Sequence, residues 1–150
     1  MVIRRAAPLA LTLLLLSGCA STASETTPAE AGSEASEPAA APLDLTGTWT
    51  QSNKNSPDSF QTATITDSAI TVEWVSDGGD TTALYWAGTY EAPTDAGTSY
   101  TWDSQNDTTQ TATAMLASSD ATKTFSYDDD VISYKVSALG VTTTVELARD

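Results

Sequence analysis

From residue 44 to the C-terminus, apolar and polar residues alternate with a period of two, and threonine is the usual polar partner. Leu45, Gly47 and Trp49 alternate with Thr46, Thr48 and Thr50. Ala63 and Ile65 alternate with Thr62, Thr64 and Thr66, and Ile70, Val72 and Trp74 with Thr71 and Glu73. Leu84, Trp86 and Tyr90 share one face of the next run, where Gly88 marks a bulge or a close approach. Tyr100 with Trp102, Phe125 with Tyr127, and Ile132 with Tyr134 and Val136 continue the pattern, which Val141, Val145 and Leu147 complete. Successive side chains of a strand point to opposite faces, so each run predicts a strand with one inward face.

Turn-forming clusters separate the runs: Asp67-Ser68, Asp77-Gly78-Gly79-Asp80, Pro93 to Gly97, Ser118-Ser119-Asp120, Asp128-Asp129-Asp130 and Gly140. The pattern predicts an all-β domain over 44–150, a small antiparallel meander of about eight strands. One apolar face per strand suits closure into a barrel, which removes exposed sheet edges. Residues 105–117 stay open: Gln105 to Gln110 is polar and turn-like, and Thr111 to Ala117 reads as a strand or a short helix.

The N-terminus follows other rules. Arg4 and Arg5 precede an apolar run from Ala6 to Leu16, shorter than the roughly 20 residues that a spanning helix needs. Residues 1–18 read as a signal peptide. The run ends in Leu16-Ser17-Gly18-Cys19. This resembles the lipobox of bacterial lipoproteins: Leu, two small residues, Cys. The resemblance implies cleavage between Gly18 and Cys19 and a diacylglyceryl thioether on Cys19, the chain's single cysteine. It implies an outward-facing protein held on the cell membrane by lipid, and two or more acyl chains make such anchoring stable. Residues 19–43 hold no aromatic or branched aliphatic residue before Leu43. They read as a disordered Ala/Ser/Thr/Glu/Pro tether with a mean reach of about 27 Å, open to O-glycosylation.

Gly47-Thr48-Trp49 resembles the G-x-W that opens the first strand of lipocalins and related calycin barrels. That resemblance implies a tryptophan closing one end of the barrel, with a late basic residue over it; Arg149 is the candidate here. The chain is shorter than a lipocalin and shows no other motif of that family. It also resembles small actinobacterial lipoproteins that carry no assigned activity.

Composition narrows the chemistry. Once Arg4 and Arg5 leave, Lys54, Lys123, Lys135 and Arg149 face 20 carboxylates, a net charge of −16. Such a field makes nucleic acid a poor partner and leaves the membrane contact to the lipid. The chain has no histidine, which excludes a Ser-His-Asp triad and histidine-based zinc sites. Acylated Cys19 is no nucleophile and forms no disulfide. No cofactor is implied.

The aromatics are the main candidates for function. Trp49, Trp74, Trp86, Trp102, Tyr90, Tyr100 and Tyr134 fall mostly on the inward face, where they form a filled core or line a cavity. Phe60 and Tyr85 fall on the other phase, which makes them candidates for an exposed binding surface. The aspartate clusters at 77–80 and 128–130 suit turns better than calcium. Asn106-Asp107-Thr108 matches a glycosylation sequon. The expectation is a non-catalytic binding domain whose partner is an envelope protein, a glycan or a small hydrophobic ligand. The alternatives are a prophage-type exclusion or immunity lipoprotein and a carboxylate-based glycan hydrolase.

Overall fold

The computed structural model describes residues 40–138 and 140–150; the signal peptide, Cys19 and nearly all of the expected tether lie outside them. Eight strands follow in order: β1 Gly47–Gln51, β2 Phe60–Ile65, β3 Ala69–Ser76, β4 Thr81–Thr89, β5 Ser99–Gln105, β6 Thr122–Asp128, β7 Val131–Ala138 and β8 Val141–Arg149. A single helical turn, α1 Thr108–Thr111, lies between β5 and β6. Every pairing is antiparallel, and the sheet order is β4-β3-β2-β1-β8-β7-β6-β5. The first and last strands thus pair in the middle of the sheet, Trp49 opposite Arg149. The sheet curls into a half-barrel around one core.

The expected ring of strands is not laddered all the way round. The edge strands β4 and β5 meet at one isolated bridge, Gly88 with Asn106. Around it the Asp107 amide donates to the Ala87 carbonyl at 2.8 Å, the Gln105 amide to Thr89 Oγ1 at 2.9 Å, and Trp86 Nε1 to Ser104 Oγ at 3.0 Å. Gly88 permits this approach. A Cβ there would stand 2.5 Å from the Gln105 carbonyl oxygen and 2.7 Å from Trp86 Nε1, closer than real Cβ atoms come. Of the two roles expected for Gly88, close approach is the one observed. The bulge lies upstream, between Val72 and Glu73, where the register to β4 slips past Tyr85.

The inward faces of the strands pack into one hydrophobic cluster. Trp49, Trp86, Trp102, Tyr90 and Tyr134 belong to the core, with Trp74 and Tyr100 packed against it partly buried. The aromatic rings form a continuous series. Tyr100 stacks on Trp102 at 5.7 Å, Trp102 on Phe125 at 5.2 Å, and Phe125 meets Tyr134 at 5.0 Å. Tyr134 then stacks on Tyr85 at 6.3 Å, and Tyr85 takes the edge of Trp74 at 5.5 Å. Aromatic pairs of this kind add about 0.5–1.5 kcal/mol each beyond the area they bury.

The two poles of the half-barrel differ. At one, Trp49 is fully buried and donates from Nε1 to the Leu45 carbonyl at 3.0 Å. The Arg149 guanidinium lies over its ring, 4.6 Å from the centroid. Its two terminal nitrogens donate to the Thr46 and Asp44 carbonyls, both at 2.7 Å. Both ends of the described chain are fastened here: the Leu43 amide donates to the Asp95 carbonyl at 3.2 Å, and the Asp150 amide to the Thr48 carbonyl at 3.3 Å. Following the strands to their other ends leads to the opposite pole, where Gln51, Trp74, Val136 and Val141 gather around an opening.

The turns follow their chemistry. Asp129 and Asp130 alone join β6 to β7, with φ of 42° and 69°, the left-handed pair that a two-residue hairpin turn requires. Segment 105–117 is neither of its expected forms throughout: α1 is one turn long and irregular turns follow it. Asp107 caps α1, accepting from the Thr109 amide at 3.0 Å. The sequon residue Asn106 fastens the loop, donating to the Asp120 carbonyl at 2.8 Å and accepting from Thr111 Oγ1 at 2.6 Å.

Candidate functional site

The opening at the far pole is built by strand ends and by the loop before β6. Trp74 ends the inward row of β3, Val136 that of β7, and Val141 begins β8. Two adjoining hollows of about 330 and 250 Å³ share Trp74, Val136 and Ala138. The larger is bounded by Tyr85 and by Leu116 to Asp120, the smaller by Gln51, Val141, Thr143 and Val145. Leu116 is 57% exposed and Val141 64%, and Met115, next to Leu116 in sequence, is 98% exposed. Large apolar residues this exposed around a concave rim are where binding surfaces occur.

Beneath the rim the interior turns polar. Lys123 is only 5% exposed, because it shares the inward phase of β6 with Phe125 and Tyr127. Its ammonium donates to Asp120 Oδ2 at 2.9 Å and to the Lys135 carbonyl at 3.3 Å. It also lies 5.2 and 5.3 Å from the ring centres of Tyr85 and Trp86. The Lys123 hydrogen bond, then that from Ser118, holds the Asp120 carboxyl below the usual carboxylate range. Tyr134 donates to Gln61 Oε1, and burial pushes its phenol far above its ordinary range. Gln61 is fully buried, and its Nε2 has no hydrogen-bond partner among the described residues.

The expected binding-surface pair is not brought together. Phe60 stays on the outer face, half-buried, with Lys54 Nζ 4.3 Å above its ring. Tyr85 is not exposed: it is 5% accessible and belongs to the core. The register slip opposite Val72 and Glu73 makes Tyr85 the extra residue of a bulge, so Tyr85 and the following Trp86 are both buried. Leu84 is displaced by the same slip to stand opposite Glu73, half-buried.

Several residues of the site were not singled out from the sequence: Gln61, Lys123, Asp120, Leu116, Val136 and Val141 as a group. Strand phase carried a signal for two of them. Gln61 shares a face with Ala63 and Ile65, and Lys123 with Phe125 and Tyr127. A polar residue on an apolar phase is the informative exception in such a pattern.

The aspartate turns stand apart from this site. Asp77 Oδ2 accepts from Thr81 Oγ1 at 2.9 Å, and Asp130 Oδ1 from the Tyr127 hydroxyl at 3.1 Å. No cluster of three metal-ligating side chains occurs among the described residues. No family model, no curated protein and no solved structure matches the chain. The class of protein that the fold defines is therefore an all-β, eight-stranded antiparallel meander curled into a half-barrel.

Proposed function

We propose that the protein is a lipid-anchored, extracytoplasmic binding domain, without catalytic activity, that takes the apolar part of a small ligand at the opening around Trp74. The anchor rests on Leu16-Ser17-Gly18-Cys19, which has the form of a lipobox and contains the only cysteine. The binding role rests above all on one observation: Trp74 lies in two adjoining hollows whose rims carry the exposed Leu116 and Val141. The hollows offer an apolar ligand aromatic and aliphatic surface beside the packed core.

The lipocalin-like reading finds support in the Trp49–Arg149 contact, which is the pairing that the G-x-W resemblance implies. In this reading the β4–β5 seam completes a barrel and the Trp74 pole is its mouth. The non-catalytic reading is supported by the missing histidine and by the commitment to Asp120 of Lys123, the one buried ammonium among the described residues.

Two experiments test the proposal. In cells fed a palmitate analogue, the wild type should be labelled and the Cys19→Ala variant should not; equal labelling would overturn the anchor. In solution, an environment-sensitive naphthalene fluorophore should bind the protein, and Trp74→Ala should weaken it about tenfold, the loss expected of a central aromatic contact. Unchanged binding in a folded Trp74→Ala variant would remove the mouth from the proposal and leave a partner protein or glycan elsewhere on the surface.

A further inference from the structure

The pairing of β6 with β7 ends early. β6 begins at Thr122 and β7 ends at Ala138, yet their ladder runs only from Asp128 opposite Val131 to Phe125 opposite Tyr134. Beyond that point Thr122 to Thr124 stay paired to β5, and Lys135 to Ala138 to β8. Two neighbouring strands therefore part inside the sheet, neither of them an edge strand. Main-chain groups that face each other across such a parting need other partners. Lys123 supplies one, donating to the Lys135 carbonyl at 3.3 Å.

The parting opens as a groove of about 430 Å³, within the size range of small-molecule sites. Its character is opposite to that of the mouth. Hydroxyls of Ser126, Ser133 and Thr144 line it, with Lys123, Lys135 and Asp120 as its charges. Ser126 Oγ already accepts from Thr101 Oγ1 at 3.3 Å, which leaves its own proton to donate.

Charge gives the groove a preference. The described residues hold four cations, and two of them line this one groove. Arg149 is committed to Trp49 and two carbonyls, and Lys54 lies over Phe60. Lys123–Asp120 is the one ion pair among the described residues, so Lys135, which is exposed, forms none of them. The lining carries one net positive charge on a surface that is otherwise acidic. Glu146 stands opposite Ser133 and Asp103 opposite Thr124 at its flanks. A polyanion would meet those carboxylates, whereas a single anionic group on a neutral, hydroxylated body would not.

We propose that the β6–β7 groove binds a polyhydroxylated ligand carrying one anionic group. The anion pairs with Lys135, and the ligand hydroxyls bond to Ser126, Ser133 and Thr144. Lys123, held by Asp120, forms the floor. The groove adjoins the larger hollow of the mouth, sharing Asp120 and Ser137 with it, but Trp74 does not line it, so the proposal stands whether or not the mouth binds a ligand.

Calorimetric titration of the full-length chain tests this with galacturonic acid and glycerol 3-phosphate as anionic polyols, and with maltotriose as a neutral one. At low salt at least one anionic probe should bind about tenfold more tightly than maltotriose, the increment of one charge-assisted hydrogen bond. Preference for one anionic probe identifies a carboxylate or a phosphate as the group recognised. Lys135→Gln should abolish that advantage, Glu146→Gln should increase it, and Trp74→Ala should leave it unchanged. Equal binding of maltotriose, no binding of either anionic probe, or an advantage that survives Lys135→Gln would each overturn the proposal.

Discussion

Arg149 covers Trp49: the guanidinium lies 4.6 Å from the ring centroid while its nitrogens hold the carbonyls of Asp44 and Thr46. One side chain thus joins the last strand, the first strand and the segment before it. The planar guanidinium suits this double task, because it stacks on the ring and presents a fork of donors at once. We expect Arg149→Ala to lower unfolding free energy by about 1–2 kcal/mol, the size of a cation–π contact with partial exposure. Arg149→Lys should recover only part of that loss. Urea unfolding followed by tryptophan fluorescence measures both.

Trp49 itself is fully buried beneath that guanidinium. Trp49→Ala should cost about 3–5 kcal/mol, the range for removing a large aromatic from a core. Trp74 is only partly buried, and Trp74→Ala should cost clearly less. The difference between the two, read from denaturation midpoints at equal slope, separates a closed pole from an open one. Equal losses would place Trp74 in the core proper.

The seam between β4 and β5 depends on a missing side chain. A Cβ at residue 88 would collide with the Gln105 carbonyl and Trp86 Nε1. Gly88→Ala should destabilise the domain by about 1–3 kcal/mol, as overpacking does. It should also accelerate amide exchange at Gln105 and Asp107, which bond across the seam to Thr89 and Ala87. Exchange rates equal to wild type would mean that the seam tolerates the methyl group.

Acid should reach the far pole through Asp120. Asp120 has its pKa lowered in the folded state, chiefly by the hydrogen bond from Lys123. A depressed carboxylate contributes stability above its unfolded pKa, about 3.9, and loses it as pH falls through the folded value. Above pH 5 the contribution should be constant. Below the unfolded value the wild type should lose stability, and Asp120→Asn should show a shallower dependence on pH. Because Asp120 is more than half exposed, solvent screening keeps the effect small. Thermal melts of both proteins across the acid range measure the difference.

Much of the fold was legible because one rule governs it. Period two assigns a face to each residue, and it placed Trp49, Ile70, Val72, Trp102, Phe125, Ile132 and Leu147 inward, where they are buried. The same rule misplaced Tyr85, since a bulge inserts one residue and reverses the phase on one side of it. Nothing local in Ala83-Leu84-Tyr85-Trp86 announces the slip. The parting of β6 from β7 left one trace, Lys123 on the apolar phase of β6, which by itself does not show that the strands separate. The rim of Leu116, Val136 and Val141 joins three separate segments, so only the folded register shows that they meet.

The chain enters and leaves the half-barrel at the Trp49 pole, with Leu43 and Asp150 both fastened there, while the opening lies at the other. Both termini are therefore natural handles. A support coupled to either one holds the domain by its closed end and presents Trp74 outward. The nearness of the termini also makes the domain a candidate for circular permutation. Residues 44 and 150 can be joined by a short flexible link and the chain reopened between Asp129 and Asp130, where only a two-residue turn is cut. All eight strands would survive intact, with Arg149 moved from the end of the chain to its interior.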